Sequence, residues 1–276
     1  MKILSSAKIN LNLTINNETI DGLHTLSTLM TPIDLFDKIE IYEIDSPADI
    51  IEFIPQIEIH GDSTIHKALH ALREVNNFDQ RFHIKVHKYI PVEAGLGGGS
   101  SNAGTIIKYL SERYSLEVPK LSIVAKTIGS DVPFFIKGSA AEVNGFGEQI
   151  IAVDIENPLH FLLATPHETL STKKVFESFD EQDNNLEIDT KLYKELEIKN
   201  NLWHAAVDVE PKLQERKEHL ERVTGSEFFM SGSGTTLFSF GEEEQLKNNI
   251  QKIDLSLFRL VTVTKKIDSS LLREAD

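Results

Sequence analysis

Four glycines, Gly95, Gly97, Gly98 and Gly99, fall within five residues of the stretch PVEAGLGGGSSNAG, which runs from Pro91 to Gly104. Glycine lets main-chain N–H groups approach a ligand with no Cβ in the way. Ser100 and Ser101 follow, and Ile106, Ile107 and Leu110 beyond them are spaced for one face of a helix. A helix N-terminus carries unpaired N–H groups and the positive end of the macrodipole, so a glycine loop leading into one suits a di- or triphosphate. No Gly-Lys-Ser/Thr closes the loop, so it is not a Walker A, and the Gly-x-Gly-x-x-Gly dinucleotide signature is also missing. Taken alone, the glycines also allow a simple connecting turn. Two further segments bear on the choice. GSDVPFF (129–135) sets an aspartate between a helix end and an apolar run. MSGSGTTLF (230–238) is a second small-residue loop, able to bring backbone amides to a second phosphate.

The elements that must position these segments are legible from periodicity. AKINLNLTI (7–15) alternates as a strand, with Lys8, Asn10 and Asn12 on the face opposite Ile9 and Leu11. Strands are also predicted over 38–44, 82–87, 132–136 and 139–143, and helices over 63–75, with Ser63 as N-cap, and over 119–128. Beyond about residue 158 the pattern resets: strand 159–164, helix 171–179, acidic loop 180–185 and a charged helix 211–223. The strands EFFM and TTLFSF, the helix EEEQLKNNIQKI and the strand FRLVTV complete an α-β-β-α-β order, part of a ferredoxin-like split unit. The expected domains are therefore 1–157, nucleotide-binding and catalytic, and 158–276, ferredoxin-like.

Composition narrows the chemistry. The 276 residues contain no cysteine, which excludes disulfides, zinc–thiolate sites, iron–sulfur clusters and a cysteine nucleophile. A formal net charge of −15 without a dense Lys/Arg stripe argues against a nucleic-acid partner. No apolar run approaches the roughly 20 residues of a membrane span, and MKILSSAKINLNLTI does not read as a signal peptide, so no membrane partner and a cytoplasmic location are expected. His66 and His70 share a helical face but lack the neighbouring glutamate of a His-Glu-x-x-His site, and read as surface or packing residues.

AKINLNL, DGLH (21–24), GLGGGSSNAG (95–104), GSDVPFF and SGSG (231–234) occur in the order found in the GHMP kinase superfamily, which the chain resembles over most of its length. The resemblance is to the branch acting on 4-diphosphocytidyl-2-C-methyl-D-erythritol. It implies an α+β, two-domain fold, with an N-terminal ribosomal S5 domain 2-like part and a C-terminal ferredoxin-like part. It also implies that ATP, with Mg²⁺, phosphorylates the 2-hydroxyl of that small-molecule cytidine diphosphate substrate. Pro91, Val92, Glu93, Ala94, Gly95, Leu96, Gly97, Gly98, Gly99, Ser100 and Ser101 would form the ATP cradle. Asp131 would be the base that takes or orients the hydroxyl proton, with Lys8 holding it ionised and neutralising charge on the transferred group. Pattern alone equally allows a turn aspartate and a solvent-facing strand lysine. Asn10, His24, Thr172 and Phe176 would bind the substrate, the histidine reading cytosine and Phe176 stacking on it; the alternatives are a satisfied turn histidine for His24 and ordinary helix-face packing for Phe176. At Leu23 the family usually has tyrosine, and leucine covers a base without offering a π-face. Lys88 falls near the adenine by position. No Mg²⁺ ligand and no oligomeric state are legible. Another kinase of the superfamily, acting on homoserine, mevalonate or a sugar, and a non-catalytic nucleotide-binding protein remain alternatives.

Overall fold

The structure, a computed structural model, describes residues 1–20, 23–57, 61–155, 159–182, 190–193 and 196–273. The first half runs β1 (Lys2–Ile20), β2 (Leu23–Ile44), β3 (Ile50–Ile54), α1 (Thr64–Val75), β4 (Arg81–His87), α2 (Gly98–Tyr114), α3 (Leu121–Thr127), α4 (Val132–Lys137), β5 (Ala141–Gly145) and β6 (Gln149–Ala152). The second runs β7 (His160–Pro166), α5 (Thr172–Glu181), β8 (Lys191–Tyr193), β9 (Leu196–Asn200), α6 (Trp203–Val209), α7 (Lys212–Thr224), β10 (Phe229–Met230), β11 (Leu237–Gly241), α8 (Glu243–Ile250), β12 (Phe258–Lys265) and β13 (Leu271–Arg273). None of the described helices is long and apolar enough to cross a membrane.

The larger sheet has the path β3-β4-β2-β1-β9-β8, with β13 also paired to β1 and β5 to β2. Helices α1 and α2 cover one of its faces. Leu69 and Leu72 of α1 and Ile106, Ile107 and Leu110 of α2 pack against Ile39 of β2 and Ile84 and Val86 of β4. Burying such a side chain contributes roughly 1.5–3 kcal/mol, so this stripe fixes which side of α2 faces the sheet. Ser63 caps α1 by accepting the His66 N–H at 3.2 Å. The smaller sheet, β10-β11-β7-β12, is antiparallel throughout, and with α8 it forms the expected ferredoxin-like unit. β1 serves both cores: Ala7, Ile9 and Leu11 pack against Phe161, Leu163 and Phe238 of the smaller sheet. The division at 157/158 falls outside the described residues. β9 and β13, from beyond it, pair with β1 in the larger sheet, so that sheet draws on both sides of the division.

Two elements differ from expectation. Residues 132–136, expected as a strand, form helix α4. Its run is apolar throughout because Val132, Pro133, Phe134, Phe135 and Ile136 are all buried, so no alternation distinguishes the two states. Pro133 in the first turn and left-handed Gly138 at the end are the helix's own punctuation. Helix α2 begins at Gly98, before the two serines expected to precede it, with Gly97 as its N-cap at φ 70°.

Candidate active site

Three loops meet at one cavity of about 430 Å³: the glycine loop with the head of α2, the turn 129–131 ahead of α4, and residues 232–234. The glycine loop is pinned through its carbonyls. Lys8 N–H donates to Leu96 O at 3.1 Å, Thr236 N–H to Ala94 O at 3.1 Å, and Ser231 Oγ to Gly95 O at 3.0 Å. Gly95 is left-handed at φ 72°, and a Cβ there would lie 2.0 Å from the Ser231 carbonyl oxygen. The two small-residue loops therefore interlock at a point where only glycine fits. Asn200 Nδ2 holds the second loop from behind, donating to Met230 O at 2.8 Å and Gly232 O at 2.7 Å. Pro91, Val92, Glu93, Ala94, Gly95, Gly97, Gly98, Gly99 and Ser100 line the cavity. Leu96 and Ser101 are buried behind it, Ser101 Oγ lying 2.6 Å from Ser5 Oγ.

Lys8 enters the cavity from β1 with its side chain 3% exposed. Its ammonium donates to Gly95 O at 2.9 Å and to Asn10 Oδ1, and lies 3.4 Å from Asp131 Oδ2. Asp131 is the N-cap of α4 but makes no capping bond with its side chain, so the carboxylate is not spent on the helix. Asn10 is itself fixed, donating from Nδ2 to Thr28 Oγ1 at 2.9 Å, and so orients Lys8. Across the cavity, Thr172 Oγ1 lies 2.9 Å from Ser233 Oγ in the second loop, and Phe176 lines the wall one turn along α5. The His24 ring is 6.0 Å from the Phe176 ring, held between the Asn16 carbonyl at 2.7 Å and Asp180 Oδ1 at 2.6 Å. Asp21, Gly22 and the side chain of Leu23 lie outside the described residues. His66 Nδ1 lies 2.9 Å from Ser63 Oγ and His70 is 3.7 Å from Glu74, and among the described residues no three His, Asp or Glu side chains cluster to hold a metal.

Residues 63–139, which span α1 to α4 with the glycine loop and Asp131, match the GHMP kinases N terminal domain family. The chain is 33% identical over 260 residues to a 4-diphosphocytidyl-2-C-methyl-D-erythritol kinase of Fusobacterium nucleatum, covering 88% of each. This chain belongs to the 4-diphosphocytidyl-2-C-methyl-D-erythritol kinase family. A member from Persephonella marina is 32% identical over 88% of this chain and 93% of that relative. A crystal structure of a 4-(cytidine 5'-diphospho)-2C-methyl-D-erythritol kinase superposes with a TM-score of 0.78 at 26% identity, covering 97% of this chain and all of that one. A homoserine kinase from Cytophaga hutchinsonii, at 13% identity and a TM-score of 0.71, shares the fold.

Set in this kinase family, Asp180 and Asp37 are residues that sequence reasoning did not single out, and Lys88 is one that it did. Asp180 fixes His24, yet the acidic run 180–185 reads only as a loop, because α5 continues through Glu181 without an apolar marker. Lys88 lines the cavity, but its ammonium turns inward to the buried Asp37 and to Asn102 Oδ1 at 3.2 Å instead of standing open to a base. Asp37 is in phase with the buried Ile39 and Ile41 of β2, so the alternation itself places this acid on the inward face, and that phase is the signal that could have found it.

Proposed function

We propose that this chain transfers the γ-phosphoryl group of ATP to the 2-hydroxyl of 4-diphosphocytidyl-2-C-methyl-D-erythritol. The observation that carries the reading is the Lys8–Asp131 pair, 3.4 Å apart, sharing one cavity with the glycine loop. The triphosphate lies on the main chain of 95–99 and the head of α2, where the helix dipole favours anions. Asp131 orients the substrate hydroxyl and takes its proton as the oxygen bonds to the γ-phosphorus. The bond from that phosphorus to the β–γ bridging oxygen breaks, and ADP leaves with its electron pair. The transition state spreads charge over the transferred oxygens, and the buried Lys8 ammonium is placed to stabilise it. Mg²⁺ would neutralise phosphate charge. It commonly needs only one or two carboxylates beside phosphate oxygens, and Glu93 and Asp131 are the acidic residues among those lining the cavity.

On the alcohol side, Phe176 offers its face to cytosine, His24 stands beside it under the restraint of Asp180, and Thr172 and Asn10 are polar groups in the wall of the cavity that also holds Asp131. The full-length relatives named for this substrate favour it over homoserine or mevalonate, for which the likeness is one of fold. With ATP as phosphoryl donor, we place the protein in the cytoplasm. The test is a coupled ADP-release assay over 4-diphosphocytidyl-2-C-methyl-D-erythritol, mevalonate, homoserine and a hexose. Selective turnover of the cytidine compound is expected. Preference for mevalonate or homoserine overturns the substrate, and ATP binding without transfer to any alcohol overturns the reaction.

A further inference from the structure

We propose that Asp37 is a positioning residue for the phosphate cradle, acting through Lys88, the stem of the glycine loop and the head of α2; the inference rests on the ATP reading above. Asp37 is fully buried. A carboxylate in such a place is costly unless it is paired and hydrogen-bonded. Here both oxygens are satisfied. Oδ1 accepts the N–H groups of Tyr89 at 2.8 Å and Ile90 at 2.9 Å. Oδ2 accepts Asn102 Nδ2 at 3.0 Å and the Lys88 ammonium.

These four donors come from only two places in the chain. Residues 88–90 lead directly into Pro91, where the cradle begins, and Asn102 lies in α2 just past the cradle's last serine. One carboxylate on β2 thus grips the loop at both ends. The grip extends to the strand that carries Lys8: Asn102 Nδ2 also donates to Ser5 Oγ at 3.3 Å, and Thr105 Oγ1 donates to it at 3.2 Å. Lys88 places a charge as well. A Cβ at Gly98 would lie 3.1 Å from Lys88 Nζ, so the ammonium sits immediately behind the first residue of α2. A cation there adds to the positive helix end, and without Asp37 it would be an uncompensated buried charge next to a like-signed dipole. Stability alone is weak ground for retaining such a pair, since apolar residues of similar volume often serve as well. A cradle without a Walker lysine depends on how its main-chain amides are held, and this pair holds the loop at both ends.

The test compares wild type with Asp37→Asn, Lys88→Met and the double variant. It measures melting temperature, ATP affinity by calorimetry, and KM for ATP and for the alcohol separately. Asparagine keeps the shape and can still accept from Tyr89 and Ile90, but it leaves Lys88 without a counter-charge. The expected result is that KM and Kd for ATP rise roughly 10-fold to 100-fold in Asp37→Asn, with the alcohol KM within about twofold. The double variant should be no worse than the poorer single variant, because the two groups act as one unit. Equal rises in both KM values, or unchanged ATP affinity in a folded Asp37→Asn, overturn the proposal. Should Asp37→Asn not fold, Lys88→Met decides in the same way: an ATP-selective rise supports the proposal, and unchanged ATP affinity removes it. A wild-type protein that binds no ATP fails the ATP reading itself, a result distinct from wild-type binding retained in the variants.

Discussion

At the scale of single residues, the proposed chemistry depends on an ammonium that β1 delivers to a carboxylate left uncommitted by its own helix. Lys8 is held by Gly95 O and Asn10 Oδ1 and faces Asp131 at 3.4 Å. Asp131→Asn keeps the shape and removes the proposed base, and Lys8→Ala removes the charge beside it. Each should lower kcat by roughly 10²- to 10⁴-fold while circular dichroism stays native. Near-normal turnover in both removes the pair from the mechanism. Two glycines separate folding from binding. A methyl at Gly95 would meet the Ser231 carbonyl at 2.0 Å, whereas at Gly99 the nearest atom is Thr64 Oγ1, at an ordinary 3.7 Å. Gly99→Ala should therefore melt within a few degrees of wild type and still bind ATP roughly 10-fold more weakly, by crowding the phosphates. Gly95→Ala should lose stability first. Unchanged ATP affinity in Gly99→Ala would mean that the nucleotide lies elsewhere. The sequence disclosed which face of β1 carries Lys8. It did not disclose what covers that face, because the cover comes from residues 95, 131 and 232, brought there by three different elements.

At the scale of elements, what could be read depended on whether burial was one-sided. α1 and α5 each bury one stripe, so their periodicity survives in the sequence and both were legible. α4 is buried on every side, its pattern is uniformly apolar, and the helix that presents Asp131 looked like a strand. α5 carries Thr172 and Phe176, and the turn ahead of it is clamped to α7 by Arg216, whose Nη2 and Nε donate to Glu168 at 2.5 and 3.3 Å. Burial alone would raise the Glu168 carboxyl, but the Arg216 hydrogen bond and charge outweigh it, and the group lies below its ordinary value. A carboxyl depressed on folding stabilises fully above its unfolded pKa of about 4.3, and that contribution fades as pH falls through the lower folded value. Arg216→Met should therefore lower the melting temperature clearly at pH 7, with the gap to wild type narrowing towards pH 3. A gap that is constant with pH would show that the pair contributes packing and not charge.

At the scale of the whole molecule, the two sheets were predictable as separate patterns, and their joint dependence on β1 was not. The end of the chain returns to the first sheet as β13, pairing with Ile3, Leu4 and Ser5. Three residues are too short to show periodicity, so this return had no signature. Just before β13, the buried Ser270 joins the two elements that carry Lys8 and Asp131. Its carbonyl accepts the Ser6 N–H at 3.0 Å, two residues ahead of Lys8, while its own N–H donates to Gly138 O at 2.8 Å and its Oγ to Phe135 O at 3.1 Å. β1 and the far end of α4 are thus tied at one point, and the register of Lys8 against Asp131 depends in part on it. Ser270→Ala removes only the Oγ bond and should cost about 1 kcal/mol, with kinetics close to wild type. Ending the chain after Asp268 removes all three bonds and the β13 pairing. Measured below its melting temperature, that variant should lose kcat by roughly 10-fold to 100-fold while both KM values stay within about threefold, because the binding walls remain and the reacting groups drift apart. If kcat survives the truncation in a folded protein, or KM changes in place of kcat, the tail acts only as a stabilising strand.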